Sequence, residues 1–567
     1  MFINTLKRRF IFVMTFLLIV AIINLFVFSP IYCLKTVVIN FAVHPFNICE
    51  KYPNGWNLIK FIFIISSIIS NFILSNIIYS FLFKKDPNIK EKKLSNISSN
   101  NELNLKIGLT LENEEITIPV SGLFQNILVT GTIGSGKTSS AMYPFTKQLI
   151  NFNNLNNKEK LGMLILDVKG NYHNQVKKYC EEYNRLEDLI TIELKSNIKY
   201  NPLDKPNLKA SILANRLKTI LTLFSPNNGE DFWLDKVEQV LTECIKLCRL
   251  YNNGYVTFSE LHKLISIPDY YSKKLSILRN TFLSGGFSKE DCYNLLTAID
   301  FFEKEFNKLD DRTLSILKSE ITRITGAFIS DVDVLNTFSP SKEDITFDGF
   351  KEVLEKGKIV VLNMNISEYR NLSKIIAAYL KLDFQTEIMM NLANGNIKRI
   401  VAFISDEYHE YVTNTDADFF AQSREAKCIN IVATQSYTSL LNTIKNKYTV
   451  NAITQNLVNK IWYRTDDMFT IEDAQKQIGK EEKVKTSKTI SENSKETNFN
   501  FFTKRFSSLD SNLSESINSY TQFDFVYDTR YFTQNLECFH AITFLSDGKR
   551  IILPQELQMI PYFKNFY

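Results

Sequence analysis

Gly131-Thr132-Ile133-Gly134-Ser135-Gly136-Lys137-Thr138 reads G-x4-G-K-T. Glycines at that spacing let a loop curl until its backbone amides point at phosphate oxygens. A lysine beside the last glycine can reach the β- and γ-phosphates of a nucleoside triphosphate, and the threonine hydroxyl can ligate Mg2+. Short glycine patterns also arise by chance, so context decides. Asn126–Thr130 just before the loop is an apolar run, read as a strand, and a helical pattern continues to about Ile150. Strand, loop and helix in that order make a cradle for ATP, with Mg2+ at Thr138.

Cleaving a phosphoanhydride further requires one carboxylate for the metal and another group to polarise the attacking water. Two apolar runs end in aspartate: Met163–Leu166 leads into Asp167, and Ile400–Ser405 leads into Asp406 and Glu407. Both place a carboxylate at the C-terminal end of a buried strand, where α/β folds bind ligands. Only the second supplies two adjacent carboxylates. Asp406 is therefore assigned to the metal and Glu407 to the water. Asp167, followed by Val168 and Lys169, is left to order the edge of the site or cap the next helix. Gln435 follows the run Ile429–Thr434, and an amide at a strand tip can sense a γ-phosphate. Arg424 has two readings, an arginine finger into a neighbouring subunit's nucleotide or a surface ion pair. Leu283-Ser-Gly-Gly-Phe287 nearly spells the LSGGQ signature of transporter ATPases. It lies far upstream of Asp406 between helical segments, and reads as a helix-ending Gly-Gly turn.

The elements that must carry these residues alternate between strand and helix, which argues for a mostly parallel sheet in an α/β fold. A P-loop core is expected over 106–206 and 340–567, interrupted by an all-helical insertion over 207–339. Within that insertion Trp233, Val237, Val240, Leu241, Cys244 and Cys248 recur at helical spacing and make one apolar, core-facing stripe. Lys205, Lys209, Arg216 and Lys218 are the basic residues there that could meet DNA, set against the plainer reading of solvated helix faces. Residues 480–519 are rich in Ser, Asn, Lys and Glu without a clear period, and read as a flexible insertion in the core.

The N-terminus has a different character. Phe10–Ser29 is 20 residues without a charge, and Phe61–Phe83 is 23. Each can cross a hydrocarbon layer of ~30 Å as a helix. Lys7, Arg8 and Arg9 precede the first run, and five lysines between 84 and 93 follow the second. That asymmetry keeps both flanks cytoplasmic, with 30–60 as a short outer loop. The alternative is a signal peptide plus one anchor, but the apolar run is longer than a usual signal core, no small-x-small cleavage site follows it, and bulky Tyr32 before Cys33 makes no lipoprotein-type site. The expected layout is a cell-membrane anchor over 1–85, with two spans and both termini cytoplasmic, then a tether over 86–105.

Of 66 Lys+Arg and 61 Asp+Glu, residues 1–100 hold 11 and 3, leaving 55 and 58 downstream. The basic excess thus belongs to the membrane end. The bulk charge of the remainder gives no support for broad duplex coating, which requires a basic patch, so any nucleic-acid contact is expected to be local, such as loops lining a pore. The eight cysteines contain no CxxC pair, and read as core residues. Cys33 and Cys49, in the outer loop, are the pair that could bridge on an oxidising side.

In this order the motifs resemble type IV coupling proteins of the TraG/TraD kind, the FtsK/HerA-like ATPases of conjugation and type IV secretion. The resemblance runs over most of the chain. It rests on the two spans, GTIGSGKT at 131–138, LILDVKGNY at 164–172, Tyr200-Asn-Pro-Leu203 and Phe232-Trp233. Asp406-Glu407, Arg424 with Thr434-Gln435-Ser436, and the closing Pro554–Phe563 segment complete it. The family implies a RecA-like motor core, a hexameric ring of the chain with itself, and an arginine finger and glutamine sensor 11 residues apart, as Arg424 and Gln435 are. It implies as partners the membrane, DNA or a relaxase–DNA complex, and the components of a secretion channel. Two other readings stand beside delivery of DNA to such a channel: an FtsK/HerA-type translocase without a secretion partner, and a receptor for protein substrates.

Overall fold

The strand-forming runs at 127–130, 162–166, 359–362 and 401–405 are short and almost wholly apolar, the pattern of strands covered on both faces. The computed structural model describes Met14 and residues 102–224, 231–492, 499–500, 505–506 and 513–564. Apart from Met14, the expected spans at 10–29 and 61–83 and the outer loop lie outside the described residues, as does the tether up to 101. Among the described residues no helix is long and apolar enough to cross a membrane.

The strands in chain order begin with β1 (Asn104–Leu109), β2 (Glu115–Pro119), β3 (Ile127–Thr130), β4 (Gly162–Leu166) and β5 (Leu189–Ile192). After the helical stretch come β6 (Ile359–Leu362), β7 (Val401–Ser405), β8 (Cys428–Thr434) and β9 (Asn459–Tyr463). Then follow β10 (Lys480–Glu492), β11 (Phe499–Asn500), β12 (Arg505–Phe506), β13 (Leu513–Phe525), β14 (His540–Phe544) and β15 (Gln555–Gln558). Eleven of them form one sheet in the order β2-β1-β15-β14-β9-β3-β8-β7-β4-β6-β5. From β9 to β5 all neighbours are parallel. From β9 outward to β2 they are antiparallel. The sheet is mostly parallel with an antiparallel flank that includes Asn104 and Leu105, two residues the sequence had placed in the tether.

Alternation along each strand divides the core in two. Ile127, Val129, Met163, Ile165, Ile404 and Ile431 pack on one face, while Leu128, Leu164, Leu166, Phe403 and Val432 pack on the other. Covering the first face are α1 (Tyr143–Asn151), which continues a wider helical turn over Thr138–Met142, and α2 (Tyr172–Glu182).

The second face receives the helical stretch: α3 (Ala210–Phe224), α4 (Asp231–Tyr251), α5 (Phe258–Ser266), α6 (Tyr270–Leu283), α7 (Lys289–Asp300), α8 (Asp311–Ala327) and α9 (Val332–Phe338). Val237, Val240, Leu241, Cys244 and Cys248 of α4 are fully buried in that core. The Gly-Gly turn after α6 closes the helix: Gly285, at φ 76, donates to the Phe282 carbonyl at 3.0 Å and Gly286 to Thr281 at 3.3 Å.

Two readings of the sequence are corrected. Lys205 and Arg216 are neither solvated nor open to DNA. Both surround Asp383, on α10 (Asn371–Ala393), at 3.3 and 2.7 Å, and the Tyr200 hydroxyl donates to the same buried carboxylate. A buried carboxylate requires such partners to stay ionised. Lys218 pairs with Asp235 and Glu238. The second correction concerns 480–519, read as a loop: β10 and β13 pair in register over thirteen positions, from Lys480 opposite Phe525 to Glu492 opposite Leu513. One face is polar and the other carries Val484, Ile517 and Phe523, exposed and spaced among Lys, Glu, Ser and Thr too sparsely to mark a strand in the sequence.

Candidate nucleotide site

β3 ends at Thr130 with the loop it feeds held by its neighbours. The Gly131 amide donates to the Gln435 carbonyl at 3.2 Å, just past β8, and the Thr132 amide donates to the Arg464 carbonyl at 2.9 Å, just past β9. Gly131, at φ 155, has no room for a side chain, because a Cβ there would lie 2.5 Å from that of Tyr463. Gly134 and Gly136 adopt φ 78 and 101, backbone that L-residues rarely enter. Ser135 is buried and its hydroxyl donates to the Thr132 carbonyl at 2.8 Å, tightening the turn, while Ile133 stands exposed at its tip. The Lys137 ammonium is buried and donates to the carbonyls of Gly131 and Thr132. Burial pushes its pKa down, against the opposing pull of Asp406 and Glu407.

Thr138 and Asp406, 268 residues apart, meet directly: the Thr138 hydroxyl donates to Asp406 Oδ2 at 2.8 Å. Asp406 follows β7, and its amide donates to the Leu166 carbonyl of β4 at 3.0 Å. Glu407 is next, in left-handed backbone at φ 47 and ψ 43. For a residue with a Cβ that conformation costs ~1–2 kcal/mol and persists only where surroundings enforce it. Here the chain on its far side is pinned. Buried Tyr411 donates to the Asp406 carbonyl at 2.8 Å or to Leu166 at 3.1 Å. Lys381 of α10 donates to the Tyr411 carbonyl at 2.9 Å and to Asp416 at 2.6 Å, and Tyr408 also donates to Asp416.

Glu407 is itself engaged from two sides. Gln435 Nε2 donates to its Oε2 at 3.3 Å, and Lys169 Nζ donates to its Oε1. Burial alone would raise the Glu407 pKa, but the hydrogen bond and charge of Lys169 outweigh it and hold the carboxyl below its ordinary range. Asp406 is driven the other way: burial first, then the charges of Asp167 and Glu407, push it up to about 6. Asp167 accepts the amides of Lys169 at 2.8 Å and of Asn171 and Tyr172 at 3.2 Å each, capping the start of α2. Three carboxylates thus crowd one strand-end rim. A divalent cation against Asp406 Oδ2 and the Thr138 hydroxyl would offset that crowding, so the donor set suits the Mg2+ that P-loop chemistry uses.

The predicted residues Gly131–Thr138, Asp406, Glu407 and Gln435 come together. Arg424 does not join them. It is exposed on the turn between α11 (Asp416–Gln422) and β8, at the N-terminal end of that strand. Gln435 is at its other end, so a seven-residue strand of roughly 23 Å separates Arg424 from its own chain's site. Sequence reasoning missed Lys169 as a partner of Glu407. It also missed Phe539, whose ring lies against Gly136.

Comparison with solved structures places this architecture. Plasmid coupling protein TrwB in complex with ADP and Mg2+ matches with a TM-score of 0.53 at 12% identity, covering 81% of this chain and 89% of that one. This chain has the fold of TrwB. The unbound monoclinic form of that bacterial conjugative coupling protein matches at a TM-score of 0.51 and 12% identity, over 80% of this chain and 90% of TrwB. TrwB in complex with the non-hydrolysable ATP analogue ADPNP matches at 0.51 and 12%, over 81% and 90%. No protein-family model and no curated protein sequence matches the chain. Two of these three TrwB structures carry a nucleotide.

Proposed function

We propose that the chain is an ATP-hydrolysing motor of the coupling-protein kind, anchored in the cell membrane, that delivers DNA or a relaxase–DNA complex to a type IV secretion channel. The observation that carries the reading is the Thr138–Asp406 hydrogen bond, which joins the phosphate loop to a strand-end carboxylate with Glu407 beside it. TrwB, whose fold this chain shares, is a conjugative coupling protein, and that supports the choice of cargo and setting.

In this reading the loop amides and Lys137 hold the triphosphate, with the ammonium exchanging the Gly131 and Thr132 carbonyls for phosphate oxygens. Thr138 and Asp406 are the residues that would hold Mg2+, which supplies charge neutralisation on the β- and γ-phosphates. Glu407 accepts the proton of the attacking water, and Gln435, bonded to the same carboxylate, orients that water and senses the γ-phosphate. Arg424 is too far from its own chain's site to act there. It serves the nucleotide of an adjacent copy in a hexameric ring, where a cation stabilises the charge of the transferring phosphoryl group.

ATP turnover by the full chain, with and without single- and double-stranded DNA, tests the assignment. Turnover that DNA stimulates and Lys137→Ala abolishes is the expected result, with DNA transfer by the producing cells lost in parallel. Normal transfer by the Lys137→Ala protein would refute it. Turnover indifferent to both DNAs but raised by a protein cargo would instead make the chain a receptor for protein substrates.

A further inference from the structure

On the phosphate-loop reading, the direction in which a bound nucleotide lies is set by chemistry. Its γ-end faces Asp406 and Glu407, after β7, and β7 lies on one side of β3 with β8 between them. The nucleoside must therefore leave on the opposite side, over β9 and β14. What stands there is aromatic.

Phe539, immediately before β14, donates its amide to the Ser135 carbonyl at 3.2 Å and accepts the Met559 amide at 2.7 Å. Its ring is pressed onto the loop, so that a Cβ at Gly136 would meet Phe539 Cδ1 at 2.5 Å. Its backbone is left-handed, at φ 66, a conformation bulky residues avoid unless held there, and held conformations of this kind cluster at binding sites. Beyond β15 the chain comes back to the same place. The Tyr562 amide donates to the Ser139 carbonyl at 2.8 Å, in the first turn after the loop, and its ring meets Tyr143 edge-on at 5.2 Å. That anchors Phe563 beside Phe539, the two rings 6.0 Å apart at 74°, with Phe563 59% exposed.

The geometry points to Phe539 and Phe563 as the nucleobase subsite: two rings set as a corner, one to stack on a planar base and the other to meet its edge. Rings recognise area and not the hydrogen-bonding pattern of a base edge. The subsite therefore favours purines over pyrimidines and does not separate adenine from guanine. The closing segment of the chain thereby becomes part of the nucleotide site.

The test is displacement of a fluorescent ATP analogue from the full-length protein by ATP, GTP, CTP and inorganic tripolyphosphate. The parent protein should bind ATP and GTP alike and CTP more weakly. Phe563→Ala should lose roughly tenfold in affinity for both purine nucleotides, the size of a base–aromatic stack, with tripolyphosphate unchanged and Phe563→Trp restoring the loss. Phe563 is exposed, so its truncation leaves the core intact. Unchanged ATP affinity in Phe563→Ala overturns the proposal, as does an equal loss for tripolyphosphate or a change confined to self-association. If the parent binds neither ATP nor tripolyphosphate, the phosphate-loop reading itself fails, a result distinct from loss of base recognition alone.

Discussion

Lys169 donates to the Oε1 of Glu407, so the carboxylate beside Asp406 is already held by an ammonium group from the loop after β4. Such a pair fixes where the carboxylate points while weakening it as a base. If Glu407 polarises water, the orienting effect governs, because a misplaced base contributes nothing. Lys169→Met is expected to lower ATP turnover roughly tenfold, and Glu407→Gln by ~10²–10⁴-fold, the usual contribution of a positioned base. The double variant should be no slower than Glu407→Gln alone, since Lys169 acts through that carboxylate. Multiplying losses in steady-state assays would mean that the lysine works elsewhere.

Asp406 presents the cost of function on the fold. Buried and facing Asp167 and Glu407, its carboxyl is pushed up to about 6, so keeping it ionised near neutral pH costs ~2–3 kcal/mol. Asparagine retains an oxygen to accept from Thr138 and removes the charge. In metal-free buffer Asp406→Asn should unfold a few degrees higher than the parent, while Mg2+-dependent turnover disappears. A lower melting temperature would show that the charge is well compensated and that the reading of a crowded rim is wrong.

How far these relationships were legible follows from how local they are. Gly131–Thr138 with its strand and helix is a contiguous signal, and so is the adjacency of Asp406 and Glu407. The Thr138–Asp406 contact spans 268 positions and was reached through what the chemistry requires, not through spacing. Asp167 was read as either edge or cap, and its bonds to the amides of Asn171 and Tyr172 make it a cap. Lys169 escaped because a lysine after a strand looks like a solvated residue until the fold brings β7 alongside β4. Phe539 carries no periodic signal at all, being one aromatic residue in a turn. The β10–β13 hairpin escaped for another reason: along β10 only Val484 and Ile490 stand out among Lys, Glu, Ser and Thr, too sparse an alternation for hydrophobic patterning to register.

Lys460, inside β9, is buried, and that burial pushes its ammonium from the usual 10.5 down to about 8, with Asp473 the charge that opposes the shift. Between those two values the unfolded chain binds one more proton than the folded chain, so stability must rise with pH across that window. The gain is at most ~3 kcal/mol. Lys460→Met removes the titration. It should be more stable than the parent at pH 7, and the difference in unfolding free energy should shrink between pH 8 and 10. Denaturant titrations at those pH values give the comparison. A difference that widens with pH would reverse the sign and count against a depressed lysine.

Arg424 and Gln435 mark opposite ends of β8, and this separation decides what the arginine can do. Within its own chain it cannot reach the site at Lys137, so a catalytic role requires a second copy. Arg424→Ala should then lose ~10³-fold or more in turnover, as removal of an arginine finger does, without weakening ATP binding to the same extent. The stronger test mixes two inactive proteins. Where a subunit carrying Arg424→Ala, with its own Glu407 intact, sits beside one carrying Glu407→Gln, with its Arg424 intact, one complete site is formed. Mixed assemblies should therefore regain ATP turnover that neither variant has alone, rising to a maximum near equal proportions. Activity that stays at the sum of the separate proteins, under conditions where sedimentation shows that the subunits have mixed, would assign Arg424 to the surface and leave the site without a partner's cation.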